Sequence, residues 1–112
     1  MDFPSHVAIS GSYAYVSTLV DDSIVIIDIS DPYNPTFAGE ILDSDSADNY
    51  IRDITYMVAS NKTIFALSNT DDSIAAIDVT NPSAPTQLSF ATSTKFASTI
   101  GQPTLAGDYL YI

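Results

Sequence analysis

The chain has 112 residues, of which 46% are apolar, and fourteen acidic residues against three basic ones give it a formal net charge of −11. This composition is typical of a globular domain, and three scattered cations cannot form the basic patch that nucleic acid or anionic lipid requires. The sequence has no cysteine and no apolar run of the roughly 18 to 20 residues that cross a bilayer, so we expect neither disulfides nor membrane insertion by this segment.

The first part of the chain predicts a four-stranded unit. A short apolar run is followed by the turn signal Gly11-Ser12 and by a segment rich in aromatic and β-branched residues. Asp21 and Asp22 then separate this hairpin from a third apolar run, and a proline-containing loop at 31–35 precedes a fourth. The predicted strands cover residues 7–10, 13–19, 23–29 and 36–42.

The same pattern returns fifty residues later. The stretch DDSIVIIDISDPYNPT at 21–36 and the stretch DDSIAAIDVTNPSAPT at 71–86 share nine of sixteen positions. The second unit therefore predicts strands at 54–60, 63–69, 73–79 and 86–92. A third copy begins where GDYLYI at 107–112 repeats the pattern of GSYAYV at 11–16.

A period of about 40 to 50 residues with four strands per unit is typical of a β-propeller blade. The run at 23–29 is apolar on both faces, and a blade packed between two neighbours covers both. A two-layer sandwich is the alternative, although it usually leaves one face of most strands polar. We therefore predict an all-β fold, a single propeller segment of about two and a half blades, with blade 1 at about 5–42, an acidic linker at 43–53, blade 2 at about 54–92 and the start of blade 3 at about 103–112.

Closed propellers use about four to eight blades, so the chain is expected to be a fragment of a longer propeller. An open array exposes one apolar blade face at each end. We accordingly expect the isolated chain to be unstable, to aggregate or to close a ring with copies of itself.

The segments SIVIIDISDPYNPT and SIAAIDVTNPSAPT resemble LVIVD repeats, which are named for an aliphatic run that ends in Asp. The run at 24–28 fits that name well, whereas Ala75 and Ala76 interrupt the second run. The resemblance implies a β-propeller of a bacterial or archaeal extracellular or cell-surface protein, without a generally established activity.

Several conspicuous residues recur in register, which favours a structural role. Asp28 and Asp78 end matching strands, where a carboxylate can accept N–H bonds from the following loop. An active-site acid is needed once, whereas a folding device is needed once per blade. The same reasoning assigns the P-x-x-P segments 32–35 and 82–85 to rigid loops rather than ligands for proline-reading domains. The tyrosine pairs 13/15 and 109/111 each share a strand face, which favours packing between blades.

The acidic linker and His6 are the two features of the non-repeated sequence that resemble parts of a metal site. The acidic linker places Asp43, Asp45 and Asp48 at the spacing that opens a calcium loop. It lacks the glycine at position six and the acid at position twelve, so a solvated acidic loop is favoured. His6 is the only histidine and cannot build a zinc site without further nitrogen or sulfur ligands, so it is interpreted as a strand-edge residue.

No catalytic constellation is found, and we assign no catalytic, cofactor-binding or metal-binding residue and no cofactor. The predicted function is a non-catalytic repeat scaffold or protein-interaction segment of a larger secreted or cell-surface propeller. The alternative is a fragment of a propeller enzyme whose catalytic residues lie on blades outside this chain. The expected partners are the remaining blades of the parent protein, copies of this chain or protein ligands.

An extracellular or cell-surface location follows only from the family resemblance. The start MDFPSHVAIS lacks the basic and apolar regions of a secretory signal. We therefore expect either a cytoplasmic protein or an upstream segment that this sequence does not include.

Overall fold

A computed structural model describes residues 3–43, 51–68, 70, 72–93 and 104–111. These residues form ten β-strands, and the described part of the chain contains no α-helix. The strands are β1 Pro4–Ser10, β2 Tyr13–Thr18, β3 Ser23–Asp28, β4 Thr36–Leu42, β5 Ile54–Ser60, β6 Thr63–Ser68, β7 Ser73–Asp78, β8 Thr86–Thr92, β9 Thr104–Ala106 and β10 Tyr109–Tyr111.

The ten strands form three separate antiparallel sheets. Strands β1 to β4 pair in chain order as one meander, β5 to β8 as a second, and β9 pairs with β10 as a hairpin. Sequential order follows from the tight connections, which leave each strand no neighbour closer than the next one along the chain. The predicted all-β fold of four-stranded propeller blades is confirmed. We call the two meanders blade 1 and blade 2.

The blades are arranged with their first strands side by side. Strand β1 lies beside β5, and β5 lies beside β9. The Ser5 hydroxyl donates a hydrogen bond of 3.2 Å to the Ile54 carbonyl and so ties β1 to the start of β5. The first strand of each unit is therefore innermost, and the fourth strand is outermost.

A single hydrophobic core fills the space between the two blades. Blade 1 contributes Tyr15 and three isoleucines, and blade 2 contributes Met57 together with aliphatic residues of β6 and β7. Successive residues of a strand point to opposite faces of the sheet, and these strands carry apolar side chains on both faces. Each sheet therefore needs a neighbouring sheet on either side. The core members are Ala8, Tyr15, Ile24, Ile26, Ile41, Ile51, Ile54, Met57, Ile64, Ala66, Ile77 and Val79.

The register shifts within the two four-stranded sheets occur at equivalent positions. The β1–β2 register shifts between Pro4 and His6, and the β5–β6 register shifts between Ile54 and Tyr56, at the positions fifty residues on. The β3–β4 and β7–β8 registers shift at matching positions as well. Because bulges re-aim the strands that carry them, the two blades bend alike.

Five predicted strand bounds differ from the structure, and in blade 2 strands β6 and β7 end one residue early, at Ser68 and Asp78. Strand β1 begins at Pro4 rather than at residue 7, because a proline is tolerated at the first position of an edge strand. The second and third strands each end one residue early, at Thr18 and Asp28. Ile29 leaves the ladder, but its amide still donates to the Ser12 carbonyl at 2.8 Å.

Candidate functional site

The innermost strands form an apolar wall, the part of a propeller that faces its central channel. A cleft of about 740 Å³ lies along this wall, between β1, β5 and β9. None of its lining side chains is titratable. The lining residues are Val7, Ala8, Ile9, Met57, Val58, Ala59, Ser60, Thr104 and Leu105. In the described residues this wall offers surface for packing and no group for acid–base or nucleophilic chemistry.

A second cleft, of about 390 Å³, opens between the blades beside their first hairpin turns. Tyr13 and Tyr15 of blade 1 face Lys62 and Thr80 of blade 2 across it. Tyr15 lies in the core, and its burial, with a smaller contribution from Tyr13, raises the pKa of the Tyr15 hydroxyl. Several polar side chains line this cleft, and they form no nucleophile–base pair.

The two strand-ending aspartates perform the same local task in each blade. The Asp28 carboxylate accepts the Ser30 N–H at 2.9 Å, and the Asp78 carboxylate accepts the Thr80 N–H at 2.8 Å. The Thr80 hydroxyl also donates to Asp78, at 2.6 Å. These are the loop N–H bonds that the repeated sequence predicts.

Hydrogen bonding of this kind stabilises the charged carboxylate. The bonds from Ser30 lower the pKa of Asp28, and the bonds from Thr80 lower the pKa of Asp78. The charge of Lys62 adds a smaller lowering at Asp78. Each aspartate therefore serves as an ionised loop anchor and is unsuited to donate a proton near neutral pH.

The next polar residue in each loop caps a tight turn. The Asp31 carboxylate accepts the Tyr33 N–H at 3.0 Å, and the Asn81 side chain accepts the Ser83 N–H at 3.3 Å. In each loop the residue three positions on donates its N–H to the same residue's carbonyl at 3.0 Å. The two P-x-x-P segments thus occupy superimposable rigid loops between the third and fourth strands.

His6 lies between the blades, and the two tyrosine pairs differ in their exposure to solvent. The His6 ring packs edge-on against Tyr56 of blade 2, with ring centroids 5.4 Å apart and planes at 76°. Its buried Nε2 has no hydrogen-bond partner in the structure. The packing predicted for Tyr15 is confirmed, whereas Tyr109 and Tyr111 are exposed, because the described residues include no further blade beside their hairpin.

The outer side of blade 1 is an exposed apolar surface whose equivalent in blade 2 is buried. Three of its side chains are 54%, 63% and 67% exposed, whereas Met57, Ala66 and Ile77, at positions equivalent to three members of this face, are at most 1% exposed because they pack on blade 1. Among the described residues, no blade covers this side of blade 1. We call it the start face; it consists of Val7, Ile9, Val16, Ile27 and Phe37.

Sequence reasoning missed one contact of the blade junction. Gly39 of β4 is buried, and a Cβ on it would lie 1.9 Å from the Pro82 carbonyl oxygen of blade 2. Glycine is unfavourable in a strand interior and often marks a close backbone approach, so its position in β4 was an available signal.

The described residues contain neither a cluster of metal ligands nor a helix that could span a membrane. No group of three or more histidine, cysteine, aspartate or glutamate side chains in the described ranges is arranged to hold a metal ion. Asp45 and Asp48 lie outside the described residues, and Asp43 accepts the Ile51 N–H at 3.4 Å. Within the same ranges, no helix has the length and apolar character needed to cross a membrane.

Comparison with known proteins identifies the first blade. The family model of the LVIVD repeat matches residues 4–43, which span blade 1 from its first strand to the end of its fourth. This match confirms the resemblance drawn from the aliphatic run that ends in Asp28. No curated protein matches the chain.

Proposed function

We propose that this chain, a repeat protein whose first blade is an LVIVD repeat, is a non-catalytic scaffold that contributes blades to a larger propeller and presents a protein-interaction surface. The family match and the two blade-like sheets support a repeat scaffold. The larger assembly, its place outside the cell and its protein ligands belong to the proposal.

The start face of blade 1 is the observation that carries this function. Val7, Ile9 and Phe37 are mostly exposed although their strands sit in a blade whose other side is fully packed. Burying one large apolar side chain is worth about 1.5 to 3 kcal/mol, so a face of this kind strongly favours association with another apolar sheet.

The enzyme alternative would need chemistry from outside the described residues. The inner wall is apolar, and the two repeated aspartates are held as loop anchors. Propellers commonly place ligand sites where several blades meet, so catalytic groups on other blades would still make the whole protein an enzyme. The sequence of the parent reading frame tests this, since non-repeated His, Asp, Glu or Arg on inner strands would favour the enzyme.

The proposed location is extracellular or on the cell surface, as for the LVIVD-repeat proteins that the chain resembles. An acidic surface with few cations is compatible with that location but does not require it. Labelling of intact producing cells with an antibody to this chain tests the proposal. Signal that appears only after lysis would place the protein inside and contradict it.

The scaffold function is tested on the purified chain with a dye that fluoresces on apolar surface. We expect the wild-type chain to bind the dye and the Ile9→Asp variant to lose most of the fluorescence, because the charge replaces one of the most exposed apolar side chains of the start face. The matched control is Val20→Asp, which places the same charge at a similarly exposed apolar residue in the β2–β3 connection.

The outcomes are distinct. Loss of dye binding in Ile9→Asp alone supports an open docking face. A wild-type chain that binds no dye, or a loss of equal size in Val20→Asp, would show that the start face is not the accessible apolar surface and would contradict the proposed function.

A further inference from the structure

The junction between the blades contains a contact that a single methyl group would prevent. Gly39 in β4 of blade 1 faces the Pro82–Ser83 segment of blade 2, and a Cβ on Gly39 would lie 1.9 Å from the Pro82 carbonyl oxygen and 3.1 Å from the Ser83 Cα. Both neighbours are backbone atoms, so no side-chain rotation can relieve the overlap. The third loop of one blade therefore seats directly on the fourth strand of the preceding blade.

Blade 1 presents the same loop in the same shape. Pro32 and Tyr33 occupy the positions of Pro82 and Ser83, and the flanking hydrogen bonds of the two loops match within a few tenths of an ångström. Tyr33 is 96% exposed, and the backbone of Ser83 at the equivalent position lies against Gly39 in β4. Blade 1 thus offers a preformed loop beside its start face, with nothing seated beneath it in the described structure.

Blade 2, the other four-stranded sheet among the described residues, does not provide a matching seat for that loop. The residue equivalent to Gly39 is Ser89, because Ser89 pairs with Ala76 as Gly39 pairs with Ile26. Because a Cβ at Gly39 would overlap the Pro82 carbonyl, Ser89 would overlap the Pro32 carbonyl of a blade 1 loop seated on blade 2 in the same way. In addition, β9 already lies beside β5 on that side of blade 2.

We propose that the start face of blade 1 docks a four-stranded blade with glycine at the fourth-strand position of Gly39, and that Ser89 excludes the second blade of another copy from this role. The inference deepens the proposed scaffold function and rests on it. The occupant is therefore a different blade of the same repeat type, onto which Pro32 and Tyr33 seat as Pro82 and Ser83 seat on Gly39.

The test converts blade 2 into the proposed seat and measures binding in trans. The acceptor chain carries Ser89→Gly to open the seat, Leu105→Asp to release β9 from its apolar cleft beside β5, and Ile9→Asp to block its own start face. It is labelled at its amino terminus and titrated with the unlabelled wild-type chain, and binding is followed by fluorescence anisotropy. The matched acceptor keeps Ser89 and carries the other two changes.

We expect the glycine acceptor to bind the wild-type chain at least about tenfold more tightly than the serine acceptor, since a side chain forced into a packed interface typically costs that much affinity. As donors, Val20→Asp should bind like the wild type and Ile9→Asp should not bind. Circular dichroism melts establish that each variant is folded, and an acceptor without Leu105→Asp provides a second test should that change unfold the chain.

Equal binding by the glycine and serine acceptors would overturn the glycine requirement and leave the scaffold function in place. Absence of binding to both folded acceptors would overturn the inference that this face docks a blade with glycine at that position. The scaffold function is decided separately by the dye measurement, so the two failures are distinguishable.

Discussion

At the scale of single residues, Asp28 and Asp78 hold the loops that leave the third strand of each blade. Each carboxylate accepts a backbone N–H two residues on, and hydrogen bonds from the side chain and the N–H of that residue lower its pKa. A carboxylate of lowered pKa stabilises the fold most fully above the ordinary Asp range of about 3.9, and this contribution is lost as the pH falls through the lowered value. Both residues are near the surface, so solvent screening keeps the effect modest.

We predict that Asp28→Ala and Asp78→Ala each lower the melting temperature at neutral pH without changing the binding of the start face. The reason is the loss of the loop N–H bond and not of a charge, so Asp28→Asn should retain more stability than Asp28→Ala. Thermal melts of the wild-type chain and the variants at neutral pH, repeated at acidic pH, supply the check. A melting temperature of Asp28→Ala equal to that of the wild type would contradict the anchoring role.

A second residue-scale prediction concerns Tyr15, whose burial raises its hydroxyl pKa. A raised pKa means that the folded state favours the neutral hydroxyl. The contribution of this hydroxyl to the free energy of unfolding is therefore complete below its pKa in the unfolded chain, about 10, and is lost as the pH rises through the raised pKa of the folded state. Tyr15→Phe should remove this alkaline loss while changing stability little at neutral pH, because Phe65 occupies the equivalent position in blade 2. Urea denaturation at neutral and alkaline pH compares the two chains, and identical alkaline losses would contradict the assignment.

At the scale of elements, the first hairpin of each unit turns on a residue with positive φ. The φ angle is 60° at Gly11 and 61° at Gly107, whereas the same position in blade 2 holds Asn61 at 58°. Side chains with a Cβ rarely adopt this conformation, and asparagine tolerates it better than most. The turn geometry is therefore common to the three hairpins although the residue is not.

We predict that Asn61→Gly stabilises the chain by up to about 1 kcal/mol, because glycine adopts the left-handed conformation without strain. Part of this gain is offset by the greater conformational entropy of glycine in the unfolded chain. The Ser10 hydroxyl bonds to the backbone carbonyl of Asn61, at 3.4 Å, so that link is retained. Chemical denaturation measures the change, and Asn61→Ala is the control expected to destabilise. A destabilised Asn61→Gly would show that the asparagine side chain contributes more than the relief of strain.

The junction of β4 with the loop after β7 leads to a fourth prediction. Gly39→Ala should destabilise the chain by about 1 to 3 kcal/mol or more, since the new methyl group overlaps the Pro82 carbonyl and the blades must separate to admit it. Ser89→Ala is the matched control at the equivalent exposed position of blade 2 and should be nearly neutral. Denaturation curves compare them, and equal stability of the two variants would contradict the close approach.

At the scale of the whole molecule, stability is unevenly distributed along the array. Blade 1 and blade 2 share one core, whereas the β9–β10 hairpin has three-residue strands with mostly exposed side chains and lies beside β5. Repeat arrays of this kind gain stability chiefly from the interfaces between neighbouring units.

We predict that amide hydrogen exchange is fastest in β9–β10 and slowest in β3 and β7, the buried third strands of the two blades. The comparison needs only the native chain at neutral pH, read by mass spectrometry or NMR. Protection of β10 equal to that of β7 would contradict it and would show that the third unit is as firmly packed as the first two.

The alternation of apolar residues, the turn signals and the fifty-residue repeat determined the four-stranded blades, their order and the role of Asp28 and Asp78. These features depend on neighbours a few residues apart, which is why the sequence reveals them. Strand ends were predicted less well, because Thr18 and Asp28 lie where the ladder passes into turns whose hydrogen bonds continue beyond the last paired residue.

Only the tertiary structure decided how the blades meet. The seating of Pro82 on Gly39, the contact of His6 with Tyr56 and the exposure of Tyr109 each depend on residues about 40 to 50 positions apart, or on the absence of a further blade beside β10 in the described residues. The period-two pattern of a strand states that both faces must be covered but does not say what covers them. That is decided by which sheet packs against each face, and in the part of the chain that the structure describes no sheet packs against the start face of blade 1.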